Sequence, residues 1–348
     1  MHSQESLLPS PPEEDALRRK HFARLLAPPG LNGGKEAWVD YYAPLVVNPI
    51  GEPEGQTLMD TRAVGAAIEQ GRLIQAMQTY TLLHEATTAL PDRSSAVGFE
   101  VLARIMRPKC EPAIATPRYF IRSLTPHQRR RLTEESIAAA ARVAREMDDE
   151  GYRRFTAAGV NATEEFLEGD DMIDSVLGAA EAAGIPPSSL ELEILENIAT
   201  LSADALAKMR RLHDESGVKF VLDDFDPGEE YATAIRGPCN RSRELLQILL
   251  AVDFPIDGVK VPGECVCGVG APNDPLRREE AIRSILDTAR TIGARRIIFE
   301  GGPAGVRRND IDAIIRITRD YDWPERLLWF EGSLARTNTR NKVKSPTQ

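Results

Sequence analysis

SADALAKMRRLHDESGVKFVLDDF, residues 202–225, carries the pattern that decides the fold. Ser202 is an N-cap residue type, Leu206, Met209 and Leu212 recur on one helical face, and Gly217 supplies a stop. VKFVL follows at once as a short apolar strand and ends in two carboxylates, Asp223 and Asp224. One helix feeding one buried strand is the unit of a parallel sheet. The same unit recurs on both sides. Upstream, MIDSVLGAAEAA (172–183) stops at Gly184 and LELEI (190–194) alternates as a strand. Downstream, Ile282, Ile285, Leu286, Ala289 and Ile292 form a helical stripe ending at Gly293, and ARRIIFE (294–300) follows. NDIDAIIRITRD (309–320) then precedes RLLWFEG (326–332). Helix and strand alternating from about residue 63 onward predict an α/β fold, and the length favours a (β/α)8 TIM-type barrel.

The flanks read differently. SPPEED (10–15), LAPPGLNGGKE (26–36) and NPIGEPEGQ (48–56) are rich in Pro, Gly and acids, so residues 1–62 are expected to form an extension. DALRRKHFARLL (15–26) is the one helical stretch expected there, and residues 63–340 form the barrel, with 341–348 as a tail. The 348 residues are 42% hydrophobic and 28% charged, which excludes collagen-like, coiled-coil and wholly disordered chains. Asp and Glu total 53 against 43 Lys and Arg, a formal charge of −10. An acidic chain is a poor match for DNA, RNA or an anionic membrane. No apolar run reaches the ~18 residues of a membrane span, and MHSQESLLPSPPEED lacks the order of a signal peptide. Four cysteines form no disulfide framework, and Cys265-Val-Cys267 lacks the second pair of a zinc site. These features predict a reduced cytoplasmic protein.

The polar residues gather at one kind of place. Glu193 lies in LELEI, Asp223-Asp224 end VKFVL, Lys260 ends IDGVK, Glu300 ends RRIIF and Glu331 ends RLLWF. In a parallel barrel all strand C-termini open on one mouth, so these side chains are expected to converge there. Taken singly, an acid at a strand end is usually a solvated loop residue or a cap. Together, carboxylates repel unless cations neutralise them, and hard oxygen donors suit Mg²⁺ or Mn²⁺.

These residues resemble the EAL domain family of cyclic di-GMP phosphodiesterases. Gly98-Phe-Glu-Val-Leu-Ala-Arg104 resembles the signature segment, with Val101 where the family has Ala. TPRYFI (116–121), VNAT (160–163), LELEILEN (190–197), LDDFD (222–226), IDGVK (256–260) and FEGG (299–302) follow in the family's order. The resemblance implies a modified (β/α)8 barrel with one antiparallel strand. It implies two ions, one held by Glu100, Asn161, Glu193 and Asp223, the other by Asp223, Asp224 and Glu300. Lys260 would orient the attacking water, and Glu300 could help take its proton. Arg104 and Gln78 would contact substrate, and Glu196 belongs to the Glu-x-Thr-Glu motif. The product would be linear pGpG.

The departures fall in the second half. The family's Asp-Phe-Gly-Thr-Gly-Tyr-Ser-Ser loop, associated with metal retention and dimerisation, reads here Asp224-Phe-Asp226-Pro-Gly-Glu-Glu-Tyr231. RGPCNRSRELLQILL (236–250) reads as an insertion, and Pro262 and Pro303 replace family acids. Glu331 stands where the family has Gln and could still bind a metal or its water with an added charge. Two readings follow: an active phosphodiesterase, or a degenerate module that binds cyclic di-GMP or a protein partner without turnover. A plain barrel with an unrelated sugar or phosphate substrate is the third. The family's dimer-forming region is altered, so both a homodimer and a monomer are compatible with the sequence.

Overall fold

The computed structural model describes residues 59, 61–69, 73–83, 96–106, 114–149, 156–195, 201–223, 241–271, 278–301, 306–321 and 323–331. In chain order the elements are α1 (Thr61–Glu69), β1 (Leu73–Leu82), β2 (Ala96–Met106), β3 (Ile114–Ala115), α2 (Pro117–Phe120) and α3 (Pro126–Asp149). Then come β4 (Ala157–Ala162), α4 (Glu164–Leu167), α5 (Met172–Ala183), β5 (Leu190–Leu195), α6 (Ala203–Ser216), β6 (Lys219–Asp223) and α7 (Arg241–Ala251). The last are β7 (Gly258–Val261), α8 (Gly263–Val266), α9 (Arg278–Thr291), β8 (Arg296–Glu300), α10 (Arg308–Arg319) and β9 (Leu328–Glu331).

The strand order is β1-β9-β8-β7-β6-β5-β4-β2-β3, and the β1–β2 pairing closes the first eight of these into a barrel. Seven barrel strands run parallel, while β1 is antiparallel to both neighbours, β2 and β9. This agrees with the expected modified barrel and its one reversed strand. The expected caps hold as well. Ser202 Oγ accepts from Ala205 N at 3.0 Å and donates to Glu168 Oε2 at 2.6 Å. Gly184, Gly217 and Gly293 all take positive φ, the left-handed conformation that ends a helix without a Cβ clash. Residues 236–250, read as an insertion, overlap α7, the described helix between the parallel strands β6 and β7. The expected boundary at residues 62/63 falls inside α1, and the helix at 15–26 lies outside the described residues.

Alternation along the strands divides the core into two parts. Outward residues such as Leu192, Phe220, Leu222, Val259, Ile297 and Phe299 are buried under the helices. Inward residues fill the barrel itself, where Tyr80, Ala157, Val221, Ile298 and Trp329 form one cluster. Each large apolar side chain so buried contributes roughly 1.5–3 kcal/mol. The long β1–β2 pair runs past the barrel rim, and its outer residues Ala103 and Ile105 are covered by Val64, Ala67, Phe120, Leu124 and Leu132. Among the described residues no helix is long and apolar enough to cross a membrane.

Candidate active site

Inward positions at the C-terminal ends of six parallel strands meet at one point. Glu100 comes from β2, Glu193 from β5, Asp223 from β6, Lys260 from β7, Glu300 from β8 and Glu331 from β9. Lys260 Nζ is the hub. It lies 2.8 Å from Glu100 Oε2, 3.0 Å from Glu193 Oε2, 3.1 Å from Glu331 Oε2, 3.2 Å from Glu300 Oε1 and 3.3 Å from Asp223 Oδ1. Asn161, on β4, completes the ring by donating its amide Nδ2–H to Glu100 Oε1. The strand-end residues read from the sequence, Asp224 aside because it lies outside the described residues, are therefore brought together.

An ammonium has three N–H donors and cannot satisfy five carboxylates. It makes hydrogen bonds to Glu100 and Glu193. Both carboxylate oxygens of Glu331 are buried with no hydrogen-bond donor in bonding geometry, although Lys260 is close. With every acid ionised, the cluster would carry four negative charges in excess. The lysine is 1% exposed, and Glu193 and Glu331 are as deeply buried.

The titration of these groups follows from that crowding. Burial opposes the charge on Lys260, but Asp223, Glu100, Glu193 and Glu331 outweigh it and hold the ammonium well above its ordinary pKa. Burial, then the Glu100 charge, pushes the Glu193 carboxyl well above its ordinary value. Burial does the same to Glu331, and Lys260 only partly offsets it. Burial also acts on Glu100, but there Lys260 and its hydrogen-bond donors prevail and hold the carboxyl low. The protons of this group are shared, and its titration belongs to the cluster rather than to one residue.

The two expected substrate contacts sit on the β1–β2 pair. Gln78 is the cross-strand partner of Glu100, so both occupy the inward face at the rim. Arg104 lies four residues beyond Glu100 on the same face of β2, above the mouth. Its Nη1 donates to the Ala103 carbonyl at 2.8 Å, and burial lowers its pKa. Asp224, Glu196, Asp226 and the rest of the altered loop to Tyr231 lie outside the described residues, as does Pro303.

Sequence reasoning missed Tyr80 and Gly159. Tyr80 Oη donates to Glu193 Oε1 at 2.8 Å, and Gly159 leaves room for that contact. The signal was present: Tyr80 stands two residues after Gln78, on the same face of an alternating strand. A second polar layer was also missed. Below the mouth the Arg296 guanidinium pairs with Glu191 and lies 4.0 Å over the Trp329 ring.

Residues 91–236 match the EAL domain family model. That segment contains Glu100, Asn161, Glu193 and Asp223, while Lys260, Glu300 and Glu331 lie beyond it. No curated protein sequence matches the chain. Among solved structures, the PaMucR phosphodiesterase in complex with cyclic di-GMP aligns at a TM-score of 0.58 and 20% identity, over 78% of this chain and 93% of that one. An EAL domain protein from Listeria monocytogenes EGD-e aligns at 0.54 and 18% identity, over 79% of this chain and 91% of that one. Klebsiella pneumoniae BlrP1, in a manganese and cyclic di-GMP complex, aligns at 0.50 and 18%, over 75% of this chain and 54% of that one. At these identities the structural likeness speaks for the fold. Residues 91–236 thus match the EAL domain in sequence, and the closed barrel that they help to build has the fold of these solved EAL structures.

Proposed function

We propose that the barrel mouth binds cyclic di-GMP and, with two divalent cations, hydrolyses one of its phosphodiester bonds to give linear pGpG. The observation that carries this reading is the excess of carboxylates around a single ammonium. As they stand, the described acids are turned onto Lys260, and no three of them form a metal cage. Their chemistry nevertheless fits hard cations: every donor is oxygen, and no donor group reaches the two buried Glu331 oxygens in bonding geometry. Glu100, Asn161, Glu193 and Asp223 would hold one ion, and Asp223, Asp224 and Glu300 the other, with Glu331 beside them. Two such ions supply Lewis-acid stabilisation of the phosphoryl charge and lower the pKa of the attacking water. Mn²⁺ and Mg²⁺ are the ions proposed, in line with the manganese and cyclic di-GMP complex of BlrP1.

The protein's own residues do the rest. Lys260 orients the water and balances part of the developing negative charge. Glu300, the most exposed of the five acids, would accept the proton. Arg104, above the mouth, offers a planar fork to a substrate phosphate, and Gln78 borders the same face. An anionic dinucleotide meets a favourable field there only once cations are bound.

One observation favours a second reading, in which the domain binds cyclic di-GMP or a protein partner without turnover. Lys260 already sits where a cation is wanted, and Glu331 adds a charge where the resemblance implies Gln. The test is incubation of the purified protein with cyclic di-GMP and Mn²⁺ or Mg²⁺, following pGpG by chromatography, with Glu100→Ala as control. Product above the control is expected. Binding by calorimetry without product would establish the second reading, and the absence of both would leave the protein partner.

A further inference from the structure

We propose that Tyr80 is a positioning residue for Glu193, fixing the direction in which that carboxylate faces the mouth. The inference rests on the metal-dependent reading above and deepens it. The antiparallel register sets Gln78 opposite Glu100 at the rim and Tyr80 opposite Gly98 one layer deeper. Tyr80 is fully buried, and its phenol runs up to Glu193 Oε1 at 2.8 Å, while Lys260 Nζ holds Oε2 at 3.0 Å. Each oxygen of this carboxylate is thus gripped by a different buried donor, one from β1 and one from β7. A buried hydroxyl needs a partner, and Glu193 is the partner found.

Two glycines make the contact possible. A Cβ at Gly98 would stand 3.0 Å from Tyr80 Cδ2. A Cβ at Gly159 would stand 2.8 Å from Tyr80 Oη and overlap Glu193 Oε1. The ring is braced from below: its centroid is 5.7 Å from that of Trp329, which carries Arg296 on its surface. If Tyr80 were only filling the core, its hydroxyl would be dispensable and phenylalanine would serve. Outer groups that orient metal-ligating side chains usually contribute about 10–100-fold in affinity.

The test is Tyr80→Phe, which keeps the ring and removes the hydroxyl, with Gly159→Ala displacing the same contact from the other strand. Two readouts are taken. In metal-free protein with ¹³C-carboxyl-labelled glutamate, the Glu193 resonance, assigned with Glu193→Gln, is expected to move in Tyr80→Phe. In calorimetric titration with Mn²⁺, both variants are expected to bind roughly 10–100-fold more weakly than the wild type, with far-ultraviolet dichroism unchanged in Tyr80→Phe. An unmoved Glu193 resonance, or Mn²⁺ affinity within twofold of wild type in Tyr80→Phe, overturns the proposal. A wild type that binds no Mn²⁺ overturns the metal reading instead, and the metal-free resonance still decides Tyr80.

Discussion

Replacing Glu331 by glutamine is expected to stabilise the metal-free protein, and the gain is expected to grow with pH. The side chain is 1% exposed, and neither oxygen has a hydrogen-bond donor in bonding geometry. An exposed glutamate loses its proton near pH 4.5, whereas burial keeps the Glu331 proton on to a much higher pH. Below pH 4.5 the group is protonated in both states and the wild type has its full stability. Above it, unfolding releases a proton, so stability is lost by about 1.4 kcal/mol per pH unit until the pH passes the folded pKa. Glutamine does not titrate and escapes that loss. The advantage of the variant in stability, and with it the gap in Tm, therefore widens as the pH rises above 4.5. Lys260 loses one of its five carboxylates and keeps four, so its own charge stays compensated. The assay is differential scanning calorimetry in EDTA at several pH values between 4.5 and 7. A variant that melts at or below the wild type across that range would refute the reasoning, because Glu331 would then make a net favourable pair with Lys260. Added Mn²⁺ is expected to narrow or reverse the gap, since ligand in ~100-fold excess over Kd adds ~2.7 kcal/mol to the form that binds it.

Lys260→Met removes the hub and leaves the buried acids without their cation, an expected loss of about 3–5 kcal/mol. Urea denaturation in EDTA measures it, and Mn²⁺ is expected to restore part of the loss; a variant as stable as the wild type in EDTA would refute the ammonium's role. In the lower layer, Arg296→Met leaves the fully buried Glu191 unpaired and is expected to cost about 3–5 kcal/mol. The double variant Glu191→Leu/Arg296→Met is expected to recover most of that, because Glu191 Oε1 and Arg296 Nε already lack hydrogen-bond partners. A double variant as unstable as Arg296→Met alone would refute this and show that the pair is net stabilising.

The parts of this fold that local chemistry determines were legible in the residue string. Ser202, Gly184, Gly217 and Gly293 act at helix ends through their own hydroxyl or backbone freedom, so their positions could be read one at a time. The acids at the strand ends were legible for a related reason: period-two alternation and the barrel rule together put Glu193, Asp223, Glu300 and Glu331 on one inward rim. What alternation does not carry is distance across the barrel. Lys260 read as one strand-end residue among several, and only closure of the sheet makes it the common neighbour of five carboxylates. Tyr80 and Glu193 are 113 residues apart, and their contact needs Gly98 and Gly159 on two further strands. Likewise LELEI shows two glutamates on one face, but Glu191 meets Arg296 only because β5 and β8 share the barrel interior.

The reversed first strand also has a consequence for how this domain can be wired. In an all-parallel barrel the polypeptide enters at the floor, far from the chemistry. Here β1 descends from the rim, so the chain that precedes it arrives from above the mouth. α1 and Met59 are fastened on that side, the latter by its own amide to the Tyr119 carbonyl at 2.9 Å and by its carbonyl to Ser123 Oγ at 2.5 Å. Met59 and α1 therefore stand on the same side of the barrel as the carboxylate cluster. The packing of Val64 and Ala67 on Ala103 and Ile105 ties α1 to the strand that carries Arg104.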